Sequence, residues 1–414
     1  MRSCRWEFAA LVSAGAVAVL AACGADADPV FTAEVSQQIH DGPMSPLPGL
    51  TLKQELGKKL FFDQTLSRPH GQSCADCHAP SVGWTGPKSK INKEGAVYPG
   101  AVHERFGNRK PPSAAYATFS PQLKLIDGAF VGGNFWDGRA TGATLGSPAA
   151  EQAMGPFLNP VEQNLPSPKA LCKLVADSHY AHLFERVWGH DALDCSTSAV
   201  TEMFQRIGLS IAAYEGSPEV NAFSSKYDAF LIGKARLSEQ ERRGLSLFEG
   251  KGKCASCHPS PLFTDFTFDN LGVPRNPDNP FYRMDEVFIH GSPINLSGQA
   301  WVDAGLGGYL ASLTDNPEWV ALAEANWGKH KVPTLRNVNL RPERSVVKAY
   351  MHNGAFKSLE EVVHFYNTRD MASWPEPEVA KNVNHAELGD LGLSHAEERA
   401  IVAFLGCLSD GYRH

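Results

Sequence analysis

Two pentapeptides constrain this chain more than any other feature: Cys74-Ala75-Asp76-Cys77-His78 and Cys254-Ala255-Ser256-Cys257-His258. Thiols at i and i+3 with a histidine directly after the second have the spacing for covalent c-type haem attachment. The thiols form thioethers to the haem vinyl groups, and the histidine then reaches the iron from one face. The alternative, a zinc or redox C-x-x-C pair, is outweighed by the repetition of the whole motif and by the similar helical segment before each copy. The chain is expected to carry two covalently bound haem c groups.

Those preceding segments form an internal repeat. Thr51-Leu52-Lys53-Gln54 is a capping box, and Leu52, Leu56 and Leu60 follow at helical spacing up to Phe61-Phe62-Asp63. Ser238-Glu239-Gln240-Glu241 is a second box, with Leu245 and Phe248 behind it. Ser358-Leu359-Glu360-Glu361 and Ser394-His395-Ala396-Glu397 open two more helices. The last, with Ile401 and Leu405 on one face, suits a terminal helix on a cytochrome c core, with the N-terminal domain as a further surface within reach. Long Pro/Gly-rich connections, notably Gly83 to Pro121 and Phe263 to Gly308, separate the helices, and no alternating strand pattern competes. The expected fold is mostly α: two cytochrome c-like haem domains with long loops, over residues 49–225 and 236–414.

The N-terminus reads as a targeting segment. Arg2 and Arg5 precede an apolar run, Phe8 to Leu20, that is too short to span a bilayer. Leu20-Ala21-Ala22-Cys23 has the form of a lipoprotein cleavage box. Residues 1–22 are then a signal peptide, Cys23 carries lipid, and residues 23–48 are a flexible tether. Gly24 and Ala25 give no inner-membrane retention signal, so the expected location is the periplasm, on a lipid anchor in the outer membrane. Nine cysteines are accounted for: Cys4 leaves with the signal, Cys23 is lipidated and four hold haem. Export permits disulfides, and Cys172 with Cys195, flanking a helix-like stretch, is the better candidate pair. Cys407, among Phe404, Leu405 and Leu408, reads as a buried small apolar residue. The formal net charge of -7, with no basic run, argues against a nucleic-acid partner.

Several stretches together identify the chain as resembling the bacterial di-haem cytochrome c peroxidases and the related MauG enzymes. They are Gly57-Lys58-Lys59-Leu60-Phe61-Phe62-Asp63, both haem motifs, Phe135-Trp136-Asp137-Gly138-Arg139-Ala140, Gln152-Ala153 with Gly155-Pro156, Asn159-Pro160-Val161-Glu162, Leu335-Arg336-Asn337-Val338 and Tyr350-Met351-His352-Asn353-Gly354. The resemblance implies that His78 is the proximal ligand of the peroxide-reactive haem. It makes Glu162 the catalytic acid/base, with Gln152 and Pro156 lining the same distal pocket. A carboxylate there can carry a proton from the inner to the outer peroxide oxygen. Trp136 matches the aromatic residue between the two haems. His103 stands one position off the family's distal histidine, so a switch ligand and a loop histidine are both open. The family's calcium asparagine is Lys110 here, and the two backbone positions of that site fall near Val347 and Ala349; one calcium ion is a further expectation with an uncertain ligand set.

The second haem separates the branches of the family. His258 is its proximal ligand. Fourteen residues after His352, where the peroxidases place a methionine, this chain has Tyr366, as MauG does. A phenolate is a hard anionic donor that favours oxidised iron, whereas a thioether raises the potential. Met351, His352, His364 and Met371 are rival ligands. MauG also has a Trp two residues before the second motif, where this chain has Gly252, so an exit route for oxidising equivalents must differ.

The leading expectation is therefore a MauG-like or MbnH-like enzyme. It uses hydrogen peroxide to build a high-valent state over both haems and oxidises a side chain, Trp, on a periplasmic partner. The alternative is a peroxidase that reduces hydrogen peroxide to water with electrons from a small cytochrome. A third, an electron-transfer cytochrome without catalysis, does not need the polar distal set Glu162, Gln152 and Pro156.

Overall fold

A computed structural model describes residues 49–413. The signal peptide and the whole of the tether lie outside them. Among the described residues no helix is long and apolar enough to cross a membrane. Eight helices among the described residues have eight residues or more: α1 Leu52–Phe62, α2 Pro148–Leu158, α3 Pro168–Ala176, α4 Ala181–Trp188, α5 Val200–Glu215, α6 Glu239–Glu249, α7 Leu359–Thr368 and α8 His395–Gly406. Among the described residues strands are confined to three antiparallel ribbons: β1 (Lys124–Ile126) with β2 (Ala129–Val131), β3 (Phe268–Asp269) with β6 (His330–Lys331), and β4 (Phe288–Ile289) with β5 (Ser292–Pro293). The protein is mostly helical with long connections, as the sequence indicates.

All four capping boxes form. Thr51, Ser238, Ser358 and Ser394 accept from the backbone three residues on, and Gln54, Glu241, Glu361 and Glu397 bond back. Each box satisfies two of the N–H groups that a helix start leaves unpaired.

The internal repeat recurs as a helix crossing. In the N-terminal half α1 crosses α5, and in the C-terminal half α6 crosses α8. Both crossings are glycine contacts. A Cβ on Gly57 would fall 1.9 Å from the Ser210 carbonyl oxygen, and one on Gly244 would fall 1.9 Å from that of Ala400. Four residues on, Phe61 meets the Tyr214 ring at 5.7 Å and Phe248 meets the Phe404 ring at 5.3 Å. Only glycine allows the backbones so close, and the aromatic pairs fill the space one turn further along.

Two cores flank these crossings. Leu56, Leu60, Phe61, Phe157, Ile207 and Ile211 lie in the first, and Phe248, Phe356, Leu359, Phe365, Ile401 and Phe404 in the second. Leu262 and Phe266, from the loop after the second haem motif, join the first core and tie the halves together. α8 packs on α6 of its own half, because Gly244 admits it there. The contact with the N-terminal half comes just after the helix, where Asp410 accepts from Tyr116 Oη (2.8 Å) and Ser224 N (2.9 Å). Cys172 and Cys195 form a disulfide, and Cys407 is buried. Arg336 is fully buried and bidentate on Asp228 (2.8 and 3.0 Å), with a third bond from Nε to the Pro261 carbonyl (2.7 Å). A buried ion pair offsets its desolvation only when its remaining hydrogen-bonding groups are satisfied in this way.

Candidate active site

Both haem motifs fold into one tight 3₁₀ turn, over Cys74–Asp76 and Cys254–Ser256. His78 N and His258 N each donate to the carbonyl of the first cysteine, both at 2.9 Å. The four thiols are free. Burial pushes the thiols up, to about 12 in Cys77, Cys254 and Cys257. Burial also pulls both imidazoles down to about 4, so they are neutral at physiological pH. Each has a carbonyl for its Nδ1–H: Trp84 O at 3.3 Å for His78, and Phe263 O at 2.8 Å for His258. That bond fixes the tautomer and leaves Nε2 as a lone-pair donor for a metal. The residues present thus fit two covalently held haems.

Cys77 and His78 line one cavity together with Gln152, Glu162, Phe135 and Arg139. Helix α2 supplies Gln152. It is capped by Ser147 and starts at Pro148, whose fixed φ suits the first turn. Pro156 sits one turn beyond Gln152 on the same face, partly buried, but is not among the residues lining the cavity. Glu162 follows in the turn after the helix. Its Oε2 accepts from Asn159 Nδ2 at 2.8 Å. Burial raises its carboxyl above the usual range, partly offset by Asn159 and Arg139. A carboxyl held in that way, with its pKa raised, is suited to take and return a proton. His103 lies on an exposed turn and is not among the residues lining the cavity.

Cys254, Cys257 and His258 line a second cavity with Tyr366 and Met351. Tyr366 projects from α7. Its hydroxyl has no hydrogen-bond partner among the described residues, and burial drives its pKa far above the ordinary phenol value. Two rivals fall away. Met371 is 70% exposed, and His364 is bound to Glu398 at 2.9 Å outside the cavity. His352 lines the cavity, but its ring stacks on His330 at 3.6 Å and its Nε2 faces Glu378 at 3.6 Å. Trp136 lines both cavities, and its Nε1–H donates to the Lys110 carbonyl at 2.8 Å.

Several residues near these cavities went unread. Arg109 bridges Asp303 through two 2.6 Å bonds and Asp137 through a third, and Asp303 also meets His330 at 3.2 Å. The β3–β6 ribbon brings His330 into this network from the far end of the second half. Glu215, at the end of α5, lies beside His78 and Gln152 with no hydrogen-bond partner among the described residues, and burial raises its pKa to about 8. Two of the expected calcium residues, Lys110 and Val347, do not fit that ion; for the third, Ala349, no donor to its carbonyl occupies it among the described residues. Lys110 presents an ammonium, and the Val347 carbonyl already accepts from Asn92 Nδ2 at 2.9 Å.

Fold and cavities define a class: a di-haem c-type oxidoreductase with a polar pocket over one haem and an aromatic bridge to the other. Comparisons with known proteins agree. Residues 51–236 match the family described as di-haem cytochrome c peroxidase, CCP_MauG. The methylamine utilization protein MauG of Paracoccus denitrificans is 34% identical over 379 residues, which cover 86% of this chain and 88% of that protein. The cytochrome-c peroxidase IdrP1 of Denitromonas iodatirespirans is 29% identical over 383 residues, 89% of this chain and 86% of that one. The crystal structure of the diheme peroxidase BthA from Burkholderia thailandensis superposes with a TM-score of 0.71 at 29% identity, covering 88% of each chain. This chain belongs to the MauG/di-haem cytochrome c peroxidase family and is a peroxide-using enzyme carrying two haem c groups.

Proposed function

We propose that the enzyme spends the oxidising power of hydrogen peroxide on a tryptophan of a periplasmic partner protein. Cys74, Cys77 and His78, and Cys254, Cys257 and His258, would hold the two haems, which when bound would supply the two-electron redox chemistry for peroxide. The rest falls to side chains. Glu162 moves a proton from the inner to the outer peroxide oxygen, steadied by Asn159. Gln152 shares the pocket and orients the peroxide. Trp136 lies on both cavities and carries charge between them. The partner's side chain gives up two electrons and two protons, and two waters leave.

The observation that carries this reading is Tyr366. Its unpartnered hydroxyl faces the cavity of the second haem, where a phenolate stabilises the oxidised centre and suits it to hold an oxidising equivalent. Residues 107–112 and the long segment from Trp136 to Gln152 favour the MbnH-like version, with a copper-binding partner. The lipoprotein box at Cys23 and the Cys172–Cys195 disulfide favour a lipid-anchored periplasmic enzyme.

The second reading, a peroxidase fed by a small cytochrome, is favoured by Met351, which lines the same cavity as Tyr366 and offers a thioether. Stopped-flow spectroscopy of the fully ferric protein with stoichiometric peroxide separates the two. Immediate reaction and a long-lived oxidised product support tryptophan oxidation. A requirement for one prior electron supports the peroxidase.

A further inference from the structure

Two buried ammonium groups line the cavity of the second haem motif, and one of them, Lys110, lines the first cavity as well. Lys348 is 4% exposed and its Nζ has three backbone acceptors: Val82 O at 2.7 Å, Leu340 O at 3.0 Å and Asn337 O at 3.1 Å. Val82 belongs to the N-terminal half, and Asn337 and Leu340 to the C-terminal half. One cation therefore gathers carbonyl oxygens from both. Burial pulls the Lys348 ammonium well below the usual lysine range, with Lys110 adding repulsion. The geometry decides its state: three acceptors require three N–H bonds, and only the charged –NH3+ has them. Gly83 makes room, since its φ is +74° and a Cβ there would lie 3.3 Å from Nζ and 2.7 Å from the Asn337 oxygen.

Lys110 completes the arrangement. Its Nζ donates to Pro111 O at 2.9 Å and Thr85 Oγ1 at 3.1 Å, and its backbone N–H to His352 O at 2.9 Å. No carboxylate pairs with either lysine among the described residues. Oxygen ligands at short range are what a calcium ion seeks, usually with carboxylates among them. Here the Val82, Asn337, Leu340 and Pro111 carbonyls are taken by ammonium hydrogens and the Val347 carbonyl by Asn92, with no carboxylate to complete a calcium shell.

We infer that this protein carries its inter-haem cation in its own covalent structure. The Lys348 ammonium, with Lys110 beside it, does the cross-linking and charge-balancing work of a divalent ion, and the protein neither binds nor needs calcium. The inference rests on the two-haem architecture and not on the choice of substrate.

Elemental analysis of the purified two-haem protein, after dialysis against calcium and then against EGTA, tests this directly. The melting temperature and absorption spectrum are recorded at each stage. The expected result is no protein-bound calcium and no change in either signal. One calcium retained per chain, or a melting temperature that falls with EGTA and recovers with calcium, would overturn it. A Lys348→Met variant gives the second reading. It should melt below the wild-type protein with both haems attached, because three carbonyls lose their donor; a melting temperature equal to wild type would also sink the proposal. Should that variant fail to fold, the wild-type metal analysis decides by itself.

Discussion

Glu162→Gln isolates the proton shuttle. The substitution preserves shape, and its amide oxygen can still accept the 2.8 Å bond from Asn159 Nδ2, so the turn after α2 keeps its anchor. What disappears is a group that can be deprotonated. General acid/base groups contribute roughly a hundred- to ten-thousand-fold, which is about 3–5 kcal/mol of barrier. The reaction of the ferric protein with one equivalent of peroxide should slow by that factor, followed by stopped-flow absorbance with haem content fixed by pyridine haemochrome. In the native protein the carboxyl must start deprotonated. Its pKa is raised by burial, so the rate should climb with pH through a midpoint above the ordinary carboxylic range. Removing Asn159's bond should move that midpoint up further. The Asn159 hydrogen bond favours the charged form of the carboxylate, so its loss disfavours ionisation. A Glu162→Gln rate within a few-fold of wild type, or a midpoint unmoved in Asn159→Leu, would refute the assignment.

Tyr366→Met should raise the potential of the second haem and shorten the life of the oxidised pair, read by redox titration and by decay of the oxidised spectrum; an unchanged potential would remove Tyr366 from the ligand set. Gly244→Ala places a methyl group 1.9 Å from a backbone oxygen, so α6 and α8 must separate at a cost of at least about 1–3 kcal/mol. Calorimetry checks this, and a wild-type melting temperature would contradict the close crossing. Glu215 has its folded pKa raised from 4.5 to about 8. The folded state holds a proton that the unfolded chain releases, so the native protein should lose stability as pH rises through that window, with a ceiling of about 5 kcal/mol. Glu215→Gln should match wild type at the acid end and exceed it at the alkaline end in denaturant titrations; parallel curves would show that Glu215 is not held protonated.

The haem attachment sites were legible because covalent attachment fixes spacing: Cys, Cys and His cannot drift from one another in sequence. The four capped helices were legible for a related reason, since each box is a local hydrogen-bond pattern. Helix α5 was not. Ala199 stands at its start with no side-chain bond, and its place is set by the fit of Gly57 against Ser210, a contact between residues far apart in the chain. The Arg109–Asp303 pair and the His330–His352 stack escaped for the same reason. Asp303 and His330 have no local pattern around them, and only the β3–β6 ribbon and the surrounding loops bring them to the cavity. Lys110 was read as a departure from a calcium site. That Lys348 turns the departure into a replacement needed three carbonyls from two halves of the fold.

Trp136 gives its indole N–H to a backbone carbonyl, that of Lys110. An amide oxygen accepts a hydrogen bond but is far too weak a base to keep a proton. An indole that loses an electron becomes strongly acidic, and beside a carboxylate or a free imidazole it would shed that proton and settle as a neutral radical. Here the proton has nowhere to go. On the proposed mechanism, charge arriving on Trp136 would therefore stay mobile, and the residue would serve as a conductor between the two cavities and not as a place where oxidation comes to rest.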